Sequence, residues 1–215
     1  MNKSTGSLRR IIAWAGIIGP ALFVTVFTLE GWLRPGYNPL ETYISALSLG
    51  PRGWIQETNF IVLGLLLALF TWGVAAEFRK GKASRAGVVL FAIMACLFIV
   101  SGPFVMDPTG TPQSALTIHG TIHGLAGGII FLLMPISIFV FLRRFREDPS
   151  WQSIQRCTLV LGVIEAATDL FFIITSKVPQ ILNAFTGWMG LIQRAALVPF
   201  MIWVFVFGLG LLRRR

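Results

Sequence analysis

The chain alternates long apolar runs with short polar breaks, and the lengths of the runs decide how it is read. Six stretches, near 11–31, 57–78, 86–106, 117–142, 156–176 and 188–212, are each long enough as helices to cross ~30 Å of hydrocarbon at ~1.5 Å per residue. The pattern predicts an all-α, polytopic membrane helix bundle with six transmembrane helices in one domain spanning residues 1–215. Pro20, Pro103, Pro135 and Pro199 fall inside four of the stretches and predict kinks, because proline lacks the N–H that the i→i−4 bond needs. The first run follows Lys3, Arg9 and Arg10, but it is long and no small-residue cleavage site follows it. It reads as a retained first helix and not as a signal peptide.

One polar break is too long and too patterned to be a plain connector: GWLRPGYNPLETYISALSLGPRGW, between the first two runs. Asn38 can cap a helix with Pro39 at its first position and Glu41 at its third, and Gly50–Pro51 stops it. Leu40, Tyr43, Ile44 and Leu47 then share a face that Glu41, Ser45 and Ser48 avoid. A short amphipathic helix over 39–49 is expected in this first outer loop, lying in the interface or folded back as a lid over the bundle mouth. Trp32, Trp54 and Trp188 would mark the same interface.

Composition agrees. At 55% hydrophobic, 13% charged and a mean hydropathy of +0.75, the apolar surface exceeds what one soluble core hides. The net charge of +9 would suggest nucleic acid in a soluble domain, but here it sits in short clusters between apolar runs, so the expected partner is the bilayer and not nucleic acid. One set of loops and ends holds Lys3, Arg9, Arg10, Arg79, Lys80, Lys82, Arg85, Arg143, Arg144, Arg146, Arg156 and Arg213 to Arg215; the other holds Arg34, Arg52 and Lys177. The positive-inside rule places the first set, and both termini, in the cytoplasm. Cys96 and Cys157 lie too far apart in the membrane to pair.

The run RPGYNPLETYISALSLGPRGWIQETNF, the later MDPTGTP and the histidine-bearing fourth helix resemble a family of bacterial and archaeal six-helix membrane proteins, domain of unknown function nine-nine-eight. The resemblance covers nearly the whole chain. It implies a prokaryotic inner-membrane protein of this topology and brings no activity with it. A partial resemblance to the ceramidase and adiponectin-receptor superfamily implies zinc held by a His-x-x-x-His pair, here His119 and His123; the chain departs from that pattern in having no third histidine and six helices instead of seven.

Candidate chemistry comes from polar residues at one depth. Counting the helix rise from the predicted ends puts His123, Asp169 and Arg194 each ~10 Å below the outer boundary. Gln193 lies beside Arg194, Ser101 near the same level, His119 about a turn above and Glu165 near the midplane, while Glu30, Glu57, Asn59 and Asp107 ring the rim. Ionisable residues inside a bilayer face cavities or each other, so an Asp169–Arg194 pair is expected in the wall of an outward-facing pocket. Glu165 and Asp169 are four apart on one face and meet one guanidinium, which leaves an excess negative charge for a proton or a bound cation to neutralise. Binding or transport of a small polar, cationic or lipid-headgroup ligand at His119, His123, Glu165, Asp169, Arg194, Ser101 and Gln193 is the leading expectation, ahead of a structural role. The alternative is a zinc hydrolase acting on a lipid or amide, with His119, His123 and Asp169 or Asp107 as ligands. HGTIH lacks the glutamate of HExxH, and Arg194 at the same depth would repel a divalent ion. Gly120, Gly124, Gly127 and Gly128 offer a smooth surface for a neighbouring helix.

Overall fold

Each apolar run winds into a helix, because in hydrocarbon the backbone must satisfy its own hydrogen bonds. The computed structural model describes residues 3–78 and 82–213; Arg79, Lys80, Arg214 and Arg215 of the basic count lie outside the described residues. The long helices are α1 (Lys3–Leu33), α2 (Gly53–Glu77), α3 (Lys82–Val100), α4 (Ile118–Arg146) and α5 (Gln152–Lys177); a short α6 (Pro179–Phe185) leads into α7 (Met189–Arg213). Among the described residues there is no strand. Five spans are long and apolar enough to cross a membrane: Arg10–Leu33, Gly53–Glu77, Ile118–Arg146, Pro149–Lys177 and Gln180–Arg213. The apolar part of α3, Arg85–Val100, is shorter.

Pro20, Pro135 and Pro199 lie inside α1, α4 and α7, whereas α3 stops at Val100 and passes Pro103 in a succession of turns. The expected kink at Pro103 is thus a helix end. Proline removes one donor and disfavours the helical conformation of Gly102 before it, and the Ile99 carbonyl left without that donor accepts from the Gly102 N–H at 3.2 Å.

The helices form a closed ring. Each of α1 to α5 packs against the next, α5 packs against α7, α7 closes on α1, and α7 also touches α4 across the interior. The basic end of the ring is sealed by aromatic rings: Phe207 lies 5.0 Å from Phe141 and from Phe145 and 5.4 Å from Trp151, and Phe91 lies 4.9 Å from Phe141. Outward-facing Trp14, Trp72, Leu132 and Val163 are exposed, as helices facing lipid require. Trp32, Trp54 and Trp188 are exposed at the opposite end, 73%, 64% and 52%.

α5 reverses the soluble pattern. Its buried residues are Ile154, Thr158, Gly162, Glu165, Asp169, Phe172 and Thr175, a mostly polar stripe at helical spacing. Leu159, Val160, Val163, Ile164, Leu170 and Phe171 face outward.

Candidate functional site

The loop between α1 and α2 forms a cap over one end of the ring. Asn38 opens it as its capping position predicts: Oδ1 accepts from the Leu40 N–H at 3.0 Å and Nδ2 donates to Glu41 Oε1 at 2.7 Å. The single helix expected over 39–49 does not continue. Tyr43 turns extended, with φ −57° and ψ 146°, and only Ile44–Ser48 winds on, as a 3₁₀ helix. α7 supplies the reason. In a continuous α-helix the Ile44 N–H would bond the Leu40 carbonyl; here Ile44 donates to Gln193 Oε1 at 2.6 Å and Leu40 accepts from the Leu191 N–H at 2.9 Å. Leu191 lies in the first turn of α7, where backbone donors have no partner inside the helix. Ile44 and Leu47 are buried as predicted, Leu40 is exposed, and Ser48, expected to face away, is buried.

Arg194 completes the clamp. Its Nη1 donates to the carbonyls of Pro39, Thr42 and Gly190 at 2.7, 3.1 and 2.9 Å, and its Nη2 to Tyr37 Oη at 2.7 Å. The guanidinium lies 5.8 Å from the ring centres of Phe27 and Tyr37. Tyr37 Oη in turn donates toward the Thr42 and Tyr43 carbonyls, both at 3.0 Å. Burial raises the Tyr37 pKa above its ordinary value, Arg194 opposing in part, so the hydroxyl keeps its proton and its donor role. The far end of the cap is tied by Glu30, which accepts from Arg34 at 2.9 Å and Arg52 at 2.6 Å, while Arg34 also bonds the Leu49 carbonyl at 3.0 Å. Gly36 and Gly50, both at φ +75°, bracket the cap.

Arg194 therefore does not pair with Asp169. Depth is shared, but rotation differs: Arg194 turns to α1 and the cap, and Asp169 lies on the face of α5 that packs against α4 and α7.

Beneath the cap is a cavity of about 40 Å³, above the ~10–15 Å³ that one water needs. Ile44 and Ser45 line it from the cap, with Phe23, Phe60, Phe98, Phe131, Ser101, His123, Gly127, Ile130, Gln193 and Leu197. His123 Nδ1 lies 2.7 Å from the Phe104 carbonyl. A carbonyl only accepts, so Nδ1 carries the hydrogen and Nε2 keeps its lone pair. Ser101 Oγ donates to the Leu97 carbonyl at 2.9 Å, which leaves its own oxygen free to accept. Sequence reading found Ser101, His123 and Gln193; it missed the four phenylalanines and Ser45, which look like ordinary core and loop until the cap is folded down.

Glu165 and Asp169 are 0% and 2% exposed. All four of their carboxyl oxygens are sealed, and none has a hydrogen-bond partner among the described residues. The Phe200 backbone N–H, just past Pro199, lies near Glu165 without hydrogen-bond geometry. Leu197 lines the cavity and stands ~4.5 Å above Phe200 along α7, while Asp169 stands ~6 Å above Glu165 along α5. By the helix rise Asp169 is about level with Leu197 and Glu165 about a turn deeper; neither carboxyl lines the cavity itself.

The remaining candidates lie elsewhere. His119 is exposed, its ring 5.2 Å from that of Phe104. Asp107 accepts from Thr117 N and Oγ1 at 2.9 and 2.8 Å and so braces the start of α4, where Thr117 caps Gly120 N. Glu57 is half-buried, and Asn59 is not on the rim but buried, donating to the Phe23 carbonyl at 3.1 Å. Among the described residues no three His, Cys, Asp or Glu side chains gather to hold a metal. His119, His123 and Asp169 are not assembled as a ligand set, and these residues do not fit the zinc expected with them. Gly120 packs on Asp107, but a Cβ at Gly124, Gly127 or Gly128 would meet nothing within 4 Å, so no helix approaches there.

In comparison with known proteins, a family profile described as "Protein of unknown function (DUF998)" matches residues 17–210. No curated protein and no solved structure matches.

Proposed function

We propose, for a chain that belongs to the DUF998 family of proteins of unknown function, a role in binding and carrying a small cationic or polar ligand from the outer face of a prokaryotic cytoplasmic membrane, with Glu165 and Asp169 as the charge that receives it. The basic residues at the sealed end of the ring support cytoplasmic termini, and the capped end then faces outward.

The observation that carries this reading is the polar stripe of α5: two buried carboxyl groups one turn apart, with no cationic partner among the described residues. An ionised carboxylate buried without a partner costs several kcal/mol. With no cation bound, protons neutralise the pair; a cation that arrives replaces a proton, which leaves by the cavity above. Charge balances as the carboxyl O–H bond breaks and the carboxylate pairs with the cation. Arg194, committed to the cap, does not compete for this role. The cavity with His123, Ser101 and Gln193 is the outer antechamber, and the cap is its cover.

Modification by dicyclohexylcarbodiimide, an apolar reagent for carboxylic acids in hydrocarbon, tests this on the full chain in lipid vesicles. Mass spectrometry should find the adduct on Glu165 or Asp169, and added sodium, potassium or ammonium chloride should slow its formation. An adduct on neither carboxyl, or one indifferent to all three cations, would overturn the proposal.

A further inference from the structure

We infer that the cavity under the cap selects an ammonium-type cation, ammonium itself or a small primary alkylammonium, over alkali ions; this rests on the proposed cation site and names its ligand class. Phe23, Phe60, Phe98 and Phe131 contribute rings to a wall that also holds His123 and Ser101, and the ring of His123 meets that of Phe60 at 5.8 Å. Aromatic rings attract cations through their quadrupole, most strongly where water is excluded, and cages of rings are the usual means of holding ammonium groups.

The polar groups have the matching sense. His123 donates from Nδ1 to the Phe104 carbonyl, which leaves a lone pair on Nε2 of a ring that also approaches the Ser101 carbonyl, and Ser101 Oγ can accept because its proton goes to Leu97. Both are acceptors for N–H donors. Ser45 adds a hydroxyl from the cap side, and the Gln193 oxygen is already taken by Ile44, which turns that acceptor away from the ligand. An alkali ion gains little here, for it needs a shell of several oxygens that phenyl rings cannot replace. Ammonium, close to water in size, fits the about 40 Å³ available; tetramethylammonium does not, and it has no N–H to donate. Asp169 does not line this space; it supplies the countercharge from behind the wall, about level with Leu197 by the helix rise.

The test uses the full chain in lipid nanodiscs and the concentration of each chloride salt that halves the rate of carbodiimide labelling, at fixed ionic strength. Ammonium and methylammonium should protect at lower concentration than sodium or potassium, and tetramethylammonium should not protect. Phe60→Leu should raise the half-protecting ammonium concentration roughly tenfold, the size of one desolvated cation–ring contact. Ser101→Ala, which removes no packing volume of consequence, should raise it about fivefold. An unchanged helical circular dichroism signal and unfolding midpoint in micelles report that each variant is folded. If potassium protects as well as ammonium and Phe60→Leu changes neither, the ammonium assignment is overturned while the carboxylate site stands. If labelling occurs and no cation slows it, the cation site itself fails and this inference with it.

Discussion

Arg194 shows how one side chain inside a membrane is accommodated without an acid. Its donors go to three carbonyls and a phenol, so its loss strands the Pro39 carbonyl, leaves that of Thr42 to Tyr37 alone and frees the cap. Arg194→Gln should cost about 3 kcal/mol in unfolding measured in micelles, since bonds to a charged donor are worth ~1.5–3 kcal/mol each and the partners relax only in part. Arg194→Lys should recover little, because a point charge cannot replace the planar fork. Because Arg194 and Asp169 do not touch, the cost of Arg194→Gln with Asp169→Asn should equal the sum of the single changes within ~0.5 kcal/mol; a milder double variant would restore the pairing that depth alone suggests. Glu165→Gln and Asp169→Asn should each shift stability by less than ~1 kcal/mol, for neither breaks an ion pair, and both should abolish cation protection of the other carboxyl.

The cap and α3 are the elements whose form departs from the local pattern. Asn38, Pro39 and Glu41 announce a turn correctly, because capping is a matter of three neighbouring residues. The break at Tyr43 is invisible from those residues, since Ile44 is satisfied by Gln193, 149 positions away. Pro103 is legible as a breaker, but whether a proline kinks a helix or ends it depends on what takes up the freed carbonyl, and here that of Ile99 accepts from the Gly102 N–H in a tighter turn. The cap should be strained at its two ends if glycine is replaced. Gly36→Ala and Gly50→Ala meet no atom within 4 Å, so each should lose only the ~1–2 kcal/mol of the left-handed backbone. Gly124→Ala, with open space and ordinary φ, should change unfolding by less than ~0.5 kcal/mol, whereas at Gly64 a Cβ would come within 2.6 Å of Ile99 Cγ1 and 2.7 Å of the Ala95 carbonyl and the loss should be larger than either.

At the scale of the molecule, six apolar runs and the basic asymmetry were readable because length and charge need no knowledge of neighbours. Which residues meet was not, because most of these helices are apolar on every side and hydropathy leaves their rotation undetermined. α5 is the exception: Glu165 and Asp169 mark its inner face, and both are buried together. Arg194 shares their depth, and depth without rotation pairs it with them. The asymmetry predicts the topology: single cysteines at Thr109 and Gln180 should react with an impermeant reagent outside cells, and ones at Ser84 and at exposed Gln152 only after lysis. The most direct measurement of an outward-facing cavity beneath a latched cap places one cysteine at Gly127, in its wall, in a chain without Cys96 and Cys157. With Arg194 intact, an impermeant thiol reagent added outside should label it slowly, and Arg194→Gln should speed that labelling at least about tenfold, the release of the cap exceeding ~1.4 kcal/mol. Labelling that comes only from the cytoplasmic side, or that runs at one rate with the latch present or absent, would contradict the account.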